Sequence, residues 1–289
     1  MKLIPLVVAA VSGLTCSNPP LQDIARTGQV RYEYGDPANA TQQNVRNRLR
    51  ALQVLERLSE FLSPLRLPRP LTLKVQGCNG KVNAYYWRDQ VMVCYEYFDF
   101  LLKVAPEMPT PEGLTRHEAL SGMTADVFLH ETGHAVFDML EIPFIGREED
   151  AADEFSAYVQ LQRSREDARH LILGVAYLGS QQAQKEMASM AQLADIHELP
   201  GQRYYNVLCM AYGDDPNLFA DAIQYWHLPA SRAKNCRYEY LRFQYAFRTL
   251  IAPYVDYELV QKLNPKRLLN FGSEEIASGG PARRAASPP

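Results

Sequence analysis

His130-Glu131-Thr132-Gly133-His134 sets two imidazoles four residues apart, with a carboxylate directly after the first. In a helix, residues at i and i+4 stand one above the other on the same face. His130 and His134 can therefore both turn a ring nitrogen toward one metal ion. Glu131 lies slightly round the helix, unligated but within reach of a water activated by that metal. In a zinc hydrolase such a glutamate takes the water's proton as the water attacks. The flanks Val127-Phe128-Leu129 and Ala135-Val136-Phe137 predict a buried helix. Two imidazoles and a carboxylate need partners there, and Zn2+ would provide them.

A catalytic zinc keeps three protein ligands and one open position. Five acids follow the motif closely: Glu148, Glu149, Asp150, Asp153 and Glu154. Glu149 and Asp153 are spaced to share one face of a helix that begins there. Glu149 is the expected third ligand, and Asp153 the expected acceptor for a ligand imidazole N–H, which would fix that ring's tautomer and orientation. Glu148 and Asp150 are the alternatives for the ligand, and Asp153 a lesser one. Acids in a first turn also complement the helix dipole, but that does not explain their nearness to the two histidines. Ala151 and Ala152 suit close packing of this helix on the first. His117, His170 and His197 lack ligand spacing to the motif and read as surface or capping residues. A peptidase needs a donor for the charge that develops on the substrate carbonyl. Tyr204, Tyr205, Tyr212, His227 and Arg232 are candidates.

The elements that must position these groups are α+β, mostly helical, with a small sheet at the front. Apolar residues from Thr41 to Leu62 follow a helical stripe, with Thr41 as N-cap, closed by Pro64, Pro68 and Pro70. Leu71–Val75, Val82–Trp87 and Gln90–Tyr95 read as three antiparallel strands, with Asn79-Gly80 and Arg88-Asp89 at the tight turns. Helical patterns follow over Phe98–Val104, Leu120–Leu140, Asp150–Arg163, Asp167–Ile196, Arg203–Tyr212, Pro216–Trp226 and Cys236–Leu250. In the last of these, Tyr238, Tyr240, Phe243, Tyr245 and Phe247 read as core packing. The expected organisation is a signal peptide over 1–15, a linker over 16–40, one domain over 41–271 and a disordered tail over 272–289.

Lys2 followed by the apolar run Leu3–Leu14 describes a secretory signal. The expected location is therefore secreted or periplasmic, with Cys16 as an alternative lipidation site. The other four cysteines, Cys78 with Cys94 and Cys209 with Cys236, are expected to pair locally, as an oxidising compartment allows. No apolar run reaches the roughly 18 residues of a membrane span. Of the 289 residues, 30 are basic and 33 acidic, so the chain as a whole offers no electrostatic case for nucleic-acid binding. A 47% apolar composition excludes a chain disordered throughout.

The HExxH motif followed by ExxxD resembles the gluzincins, which include thermolysin-like and CAAX-protease-like peptidases. More narrowly, the chain resembles an uncharacterised bacterial metallopeptidase family, a domain of unknown function. The resemblance rests on Cys78-Asn79-Gly80, Asn83-Ala84-Tyr85-Tyr86, Cys94-Tyr95-Glu96, Phe128 to Ala135, Gly146 to Asp153, and the segment from Leu228 to Cys236. It covers roughly Thr41 to Tyr254. It implies a zincin-like domain in which His130, His134 and Glu149 bind zinc, Glu131 is the general base and Asp153 orients a ligand. It also implies an edge strand above the motif helix that takes up extended substrate; Gln90–Tyr95 is the candidate. The expected activity is zinc-dependent hydrolysis of peptide or protein substrates. A non-catalytic zinc module and a hydrolase of non-peptide amides are the alternatives. Glu131 favours an enzyme, because zinc binding alone does not require it.

Overall fold

The computed structural model describes residues 29–143, 146–184, 195–263, 267–269 and 271. The expected signal peptide, Cys16, the end of the helix foreseen to Ile196 and the tail from 272 lie outside the described residues, apart from Asp195 and Ile196 themselves.

Four strands form one sheet: β1 (Val30–Tyr34), β2 (Leu71–Gln76), β3 (Ala84–Trp87) and β4 (Gln90–Cys94), in the order β1-β2-β4-β3. Three of these strands were foreseen as an antiparallel set. The sheet is instead mixed, because β2 runs parallel to both β1 and β4, and only β3 and β4 form an antiparallel hairpin. The hairpin turn is the one its residues dictate. Arg88 and Asp89 both take positive φ, 48° and 63°, as a two-residue turn matched to strand twist requires. β1 falls within the stretch expected to be linker. β2 alternates strictly, with Leu71, Leu73 and Val75 fully buried on one face.

The stripe from Thr41 to Leu62 forms two helices, α1 (Ala40–Ala51) and α2 (Val54–Leu62). Asn39, not Thr41, caps the first, its side chain accepting from Gln42 N. The chain breaks at Gln53, which sits in the left-handed region at φ 54°. α3 (Tyr95–Val104) follows β4, and Tyr95 belongs to this helix rather than to the strand. The remaining helices are α4 (Arg116–Met139), α5 (Glu148–Leu161), α6 (Arg165–Ala183), α7 (Pro200–Asp214), the short α8 (Asp221–Gln224), α9 (Ala230–Leu250) and α10 (Tyr257–Leu263).

α4 carries HExxH and is buried almost all round, as a helix at the centre of a domain must be. A capping box of Thr115 and Glu118 starts it. It packs on β3 and β4 and on α5 and α6. Contact with α6 is backbone to backbone: a Cβ built on Gly122 would lie 2.2 Å from Leu171 O, and Gly174 faces it. Phe128 and Phe155 are almost fully enclosed, each contributing roughly 1.5–3 kcal/mol through burial. Disulfides join Cys78 to Cys94 and Cys209 to Cys236, as foreseen. The first ties the loop before β3 to the end of β4, and the second ties α7 to α9. Closed loops of this size constrain the unfolded chain by about 3 kcal/mol each, and such bonds persist in oxidising compartments. No helix among the described residues is long and apolar enough to cross a membrane.

Candidate metal centre

Two helices bring the site together. α4 supplies His130 and His134, and the first turns of α5 supply Glu148, Glu149 and Asp153. α5 comes this close because Gly133, inside the motif, faces Ala152. A Cβ on Gly133 would lie 3.2 Å from Ala152 Cα, and Ala152 is fully buried. The small residues of both helices thus set the spacing between the imidazoles and the acids.

The two imidazole Nε2 atoms lie 3.3 Å apart. Glu149 Oε2 lies 3.2 Å from His130 Nε2 and 3.5 Å from His134 Nε2. Zinc ligands sit about 2.0–2.2 Å from the metal, so neighbouring ligands of a tetrahedral ion are about 3.3–3.5 Å apart. These three atoms have the separations of one tetrahedral face. Glu149 Oε2 is moreover buried and receives no well-directed hydrogen bond. Around it stand His130 Nε2, His134 Nε2 and His197 Nε2 at 3.2, 3.5 and 3.0 Å. The donor set fits a divalent cation.

The remaining ring nitrogens are held from behind. Asp153 Oδ1 lies 2.7 Å from His130 Nδ1, and Glu148 Oε1 lies 2.8 Å from His134 Nδ1. Asp153 is in turn gripped by Arg203 of α7 through two contacts of 2.6 Å. Asp153 therefore stands where the sequence placed it. Glu148, an alternative ligand, faces the back of His134 instead. Asp150 makes no contact with the ligand atoms among the described residues; it lines a cavity of about 100 Å³ with Asp153, Arg203, Glu154 and Tyr97.

Electrostatics follow this arrangement. Burial raises the carboxyl of Glu149, but the three imidazoles around it outweigh that and hold it far below the usual range. Burial disfavours a charged His130, yet Asp153 and Glu149 hold its pKa up at about 10. Burial likewise opposes ionised Asp153, while Arg203 and His130 bring it down to about 2. Glu131 is 7% exposed. Burial raises its pKa, and the neighbouring imidazoles and the Tyr86 backbone N–H offset this only in part. The cluster of carboxylates and imidazoles asks for positive charge, which either protons or a metal ion supply.

His197 was expected at the surface with no part in the site. It is half-exposed, but its Nε2 lies 3.0 Å from Glu149 Oε2. Asp195 Oδ1 holds its Nδ1 at 2.9 Å and accepts from its backbone N–H. The ligand atoms of His130, Glu149 and His197 lie within 4.8 Å of one another. By contrast, the hydroxyl of Tyr204 donates to Trp226 O, and Arg232 is taken up by Glu239 and Asn206. Among the described residues no contact brings Tyr205, Tyr212 or His227 to the ligand atoms. His170 lies within α6, whose N-cap is Ser164, and pairs with Glu118 of α4 at 3.1 Å.

The expected substrate strand is corrected too. β4 lies inside the sheet, between β2 and β3, and four of its five residues are buried. It has no free edge. β3 does. Cys94 N donates to Asn83 O, so by antiparallel alternation Ala84 and Tyr86 turn their N–H and C=O groups outward. Beside this edge is a cleft of about 470 Å³ lined by Tyr86, Trp87, Arg88, Phe137, Asp138 and Glu148, among others.

A family model described as "Putative metallopeptidase" matches residues 34–251. The chain belongs to this family. The matched span runs from the end of β1 through α9, and so contains every site residue described above. No curated protein and no solved structure matches the chain. Within this metallopeptidase family, the second metal-like group of the structure, Cys78, Cys94 and Glu96, is not a rival centre. Its cysteines are spent in a disulfide, and Glu96 accepts from the backbone of Cys78 and Gly80 and from Gln42.

Proposed function

We propose that this protein is a zinc-dependent peptidase whose metal is held by His130, His134 and Glu149. The observation that carries this is the convergence of those three ligand atoms at 3.2–3.5 Å, with the buried Glu131 on the same helix. Two imidazoles and one carboxylate with an open position form a catalytic donor set for zinc. Zinc bound there would supply a Lewis acid and lower the pKa of an attacking water. Glu131 accepts the proton of that water as its oxygen attacks the scissile carbonyl carbon. The same carboxyl then returns the proton to the amide nitrogen as the C–N bond breaks. Asp153, clamped by Arg203, keeps His130 in the tautomer that presents Nε2 to the metal. His197, with Asp195 on its Nδ1 and its pKa raised by Glu149 and Asp195, would as an imidazolium donate from Nε2 to the carbonyl oxygen as its charge grows. Substrate adds as an extended strand along the outer edge of β3, where the Tyr86 N–H is shared with Glu131, with side chains in the adjoining cleft.

The test is cleavage of a mixed peptide library by wild type and Glu131→Gln, both loaded with zinc. Wild type should cleave, and the variant should lose activity by several orders of magnitude while keeping its metal. Equal cleavage by both would remove Glu131 from the mechanism.

One observation favours a second reading. His197 stands close enough to His130 and Glu149 to be a ligand. Were it one, the open position would be filled and the centre would be structural, as in closed zinc sites. Library cleavage by wild type excludes that reading.

A further inference from the structure

We propose that the outward face of α9 docks on an anionic phospholipid surface. The aromatic residues of this helix were expected in the core, and only some are there. Tyr240 is buried, and Phe243 and Phe247 pack on Tyr158 at 5.4 and 4.7 Å between ring centroids. Tyr238, Leu241 and Tyr245 point the other way, exposed by 65%, 41% and 71%. Their spacing of three and four residues puts them on one stripe of the helix. Lys234, Arg242 and Arg248 share that side, all exposed, and none forms an ion pair among the described residues. The one acid of α9, Glu239, is half-buried and paired with Arg232. A chain with a net charge of −3 thus carries on this face three cations outside any ion pair among the described residues, Arg242 lying 6.0 Å over the Tyr238 ring, between three exposed side chains with large apolar surface.

Charge complementarity selects an anionic partner, and shape selects its kind. The face is the convex side of a helix of 21 residues, about 31 Å long. A convex ridge buries little of a peptide laid along it, but lies well on a plane. Tyrosine rings favour the headgroup region of a bilayer, and arginine and lysine on such a face reach lipid phosphates.

The experiment is co-sedimentation of the full chain with phosphatidylcholine vesicles, neutral or with about one-third phosphatidylglycerol, at low and high salt. The apolar run Leu3–Leu14 can partition into either vesicle, so the reading is the anionic-minus-neutral difference. Wild type should bind the anionic vesicles more tightly, and less so at high salt. Reversing two charges, Arg242→Glu with Arg248→Glu, should weaken this binding about thirtyfold, at roughly fivefold or more per cation. Tyr238→Ser with Tyr245→Ser should weaken it about tenfold. Lys234→Glu, at an exposed position, gives a third reversal. Arg31→Glu with Lys81→Glu makes the same change in net charge elsewhere and should have little effect. The proposal is overturned if wild type shows no anionic preference, if the face variants bind as wild type does, or if the control pair weakens binding equally. A dimer that the face variants abolish would also overturn it, assigning the face to a second copy.

Discussion

Asp153→Asn tests whether the support behind the imidazoles matters as much as the ligands. In the structure one carboxylate does two things. It accepts the Nδ1 proton of His130 at 2.7 Å, and it takes both arms of Arg203 at 2.6 Å. An asparagine has one acceptor oxygen for two donor neighbours. If the oxygen turns to His130, the amide NH2 opposes the guanidinium; if it turns to Arg203, the NH2 faces Nδ1 and favours the wrong tautomer. Either way His130 presents Nε2 less well, and the negative charge is gone. Loss of such a partner costs about 10–100-fold in metal affinity, roughly 1.4–2.8 kcal/mol. Glu148→Gln is the matched control. Glu148 contacts only His134 in the site, its side chain is 43% exposed, and glutamine can still accept from Nδ1. Its effect should stay within about threefold. Competition with a chromophoric zinc chelator reads both, and far-UV circular dichroism checks the fold. If Asp153→Asn held zinc as wild type does, or Glu148→Gln lost as much, the supporting network would have no part in metal binding.

Three further outcomes follow from the same coordinates. His197→Ala should keep its zinc and lose about 10²–10³ in kcat, as removal of a carbonyl-oxygen donor does; loss of zinc instead would make His197 a ligand. Burial, with Glu239, Asp150, Asp153 and Glu198 around it, raises Glu154 from 4.5 to about 7. The folded chain then binds that proton more tightly than the unfolded chain. Stability is therefore fully present below about pH 4.5 and falls as pH rises to about 7, by up to about 3 kcal/mol. Glu154→Gln should leave Tm unchanged at pH 4.5 and raise it by several degrees at pH 8; an equal shift at both would refute the assignment. Gly122→Ala places a methyl group 2.2 Å from Leu171 O. Overpacking of about 1–3 kcal/mol or more should outweigh the roughly 1 kcal/mol that alanine gains in a helix. A Tm at or above that of wild type would show that α4 and α6 can separate freely.

Much of the site was legible because its signals are local. His130 and His134 are one helical turn apart, and Glu149 and Asp153 repeat that spacing on the next helix, so period alone put each pair on one helix face. The turn residues Arg88 and Asp89 announced the hairpin, and both disulfides close short stretches of chain. What escaped depends on distant pairing. β1 has no turn joining it to β2, and β2 reaches β4 by a crossover, so reading the strands in chain order made an edge of Gln90–Tyr95 when the two edges are Val30–Tyr34 and Ala84–Trp87. Arg203 carries no spacing signal toward Asp153, and only the position of α7 brings it there. His197 lies far along the chain from the motif with no periodic relation to it. The closely spaced pair Asp195 and His197, just before Pro200 opens α7, was the one available hint. Tyr238 and Tyr245 share a helix with true core aromatics, and composition alone does not tell one face from the other.

The central claim is that His130, His134 and Glu149 form one zinc centre. The direct measurement is X-ray absorption at the zinc edge, with metal stoichiometry, on protein purified in zinc-replete medium, for wild type, Glu149→Ala and Asp150→Ala. The account predicts about one zinc per chain in wild type and Asp150→Ala, with two imidazole nitrogens and light oxygen neighbours at about 2.0–2.2 Å, and weakened retention in Glu149→Ala. Protein without zinc, or Glu149→Ala and Asp150→Ala with the opposite behaviour, would contradict it.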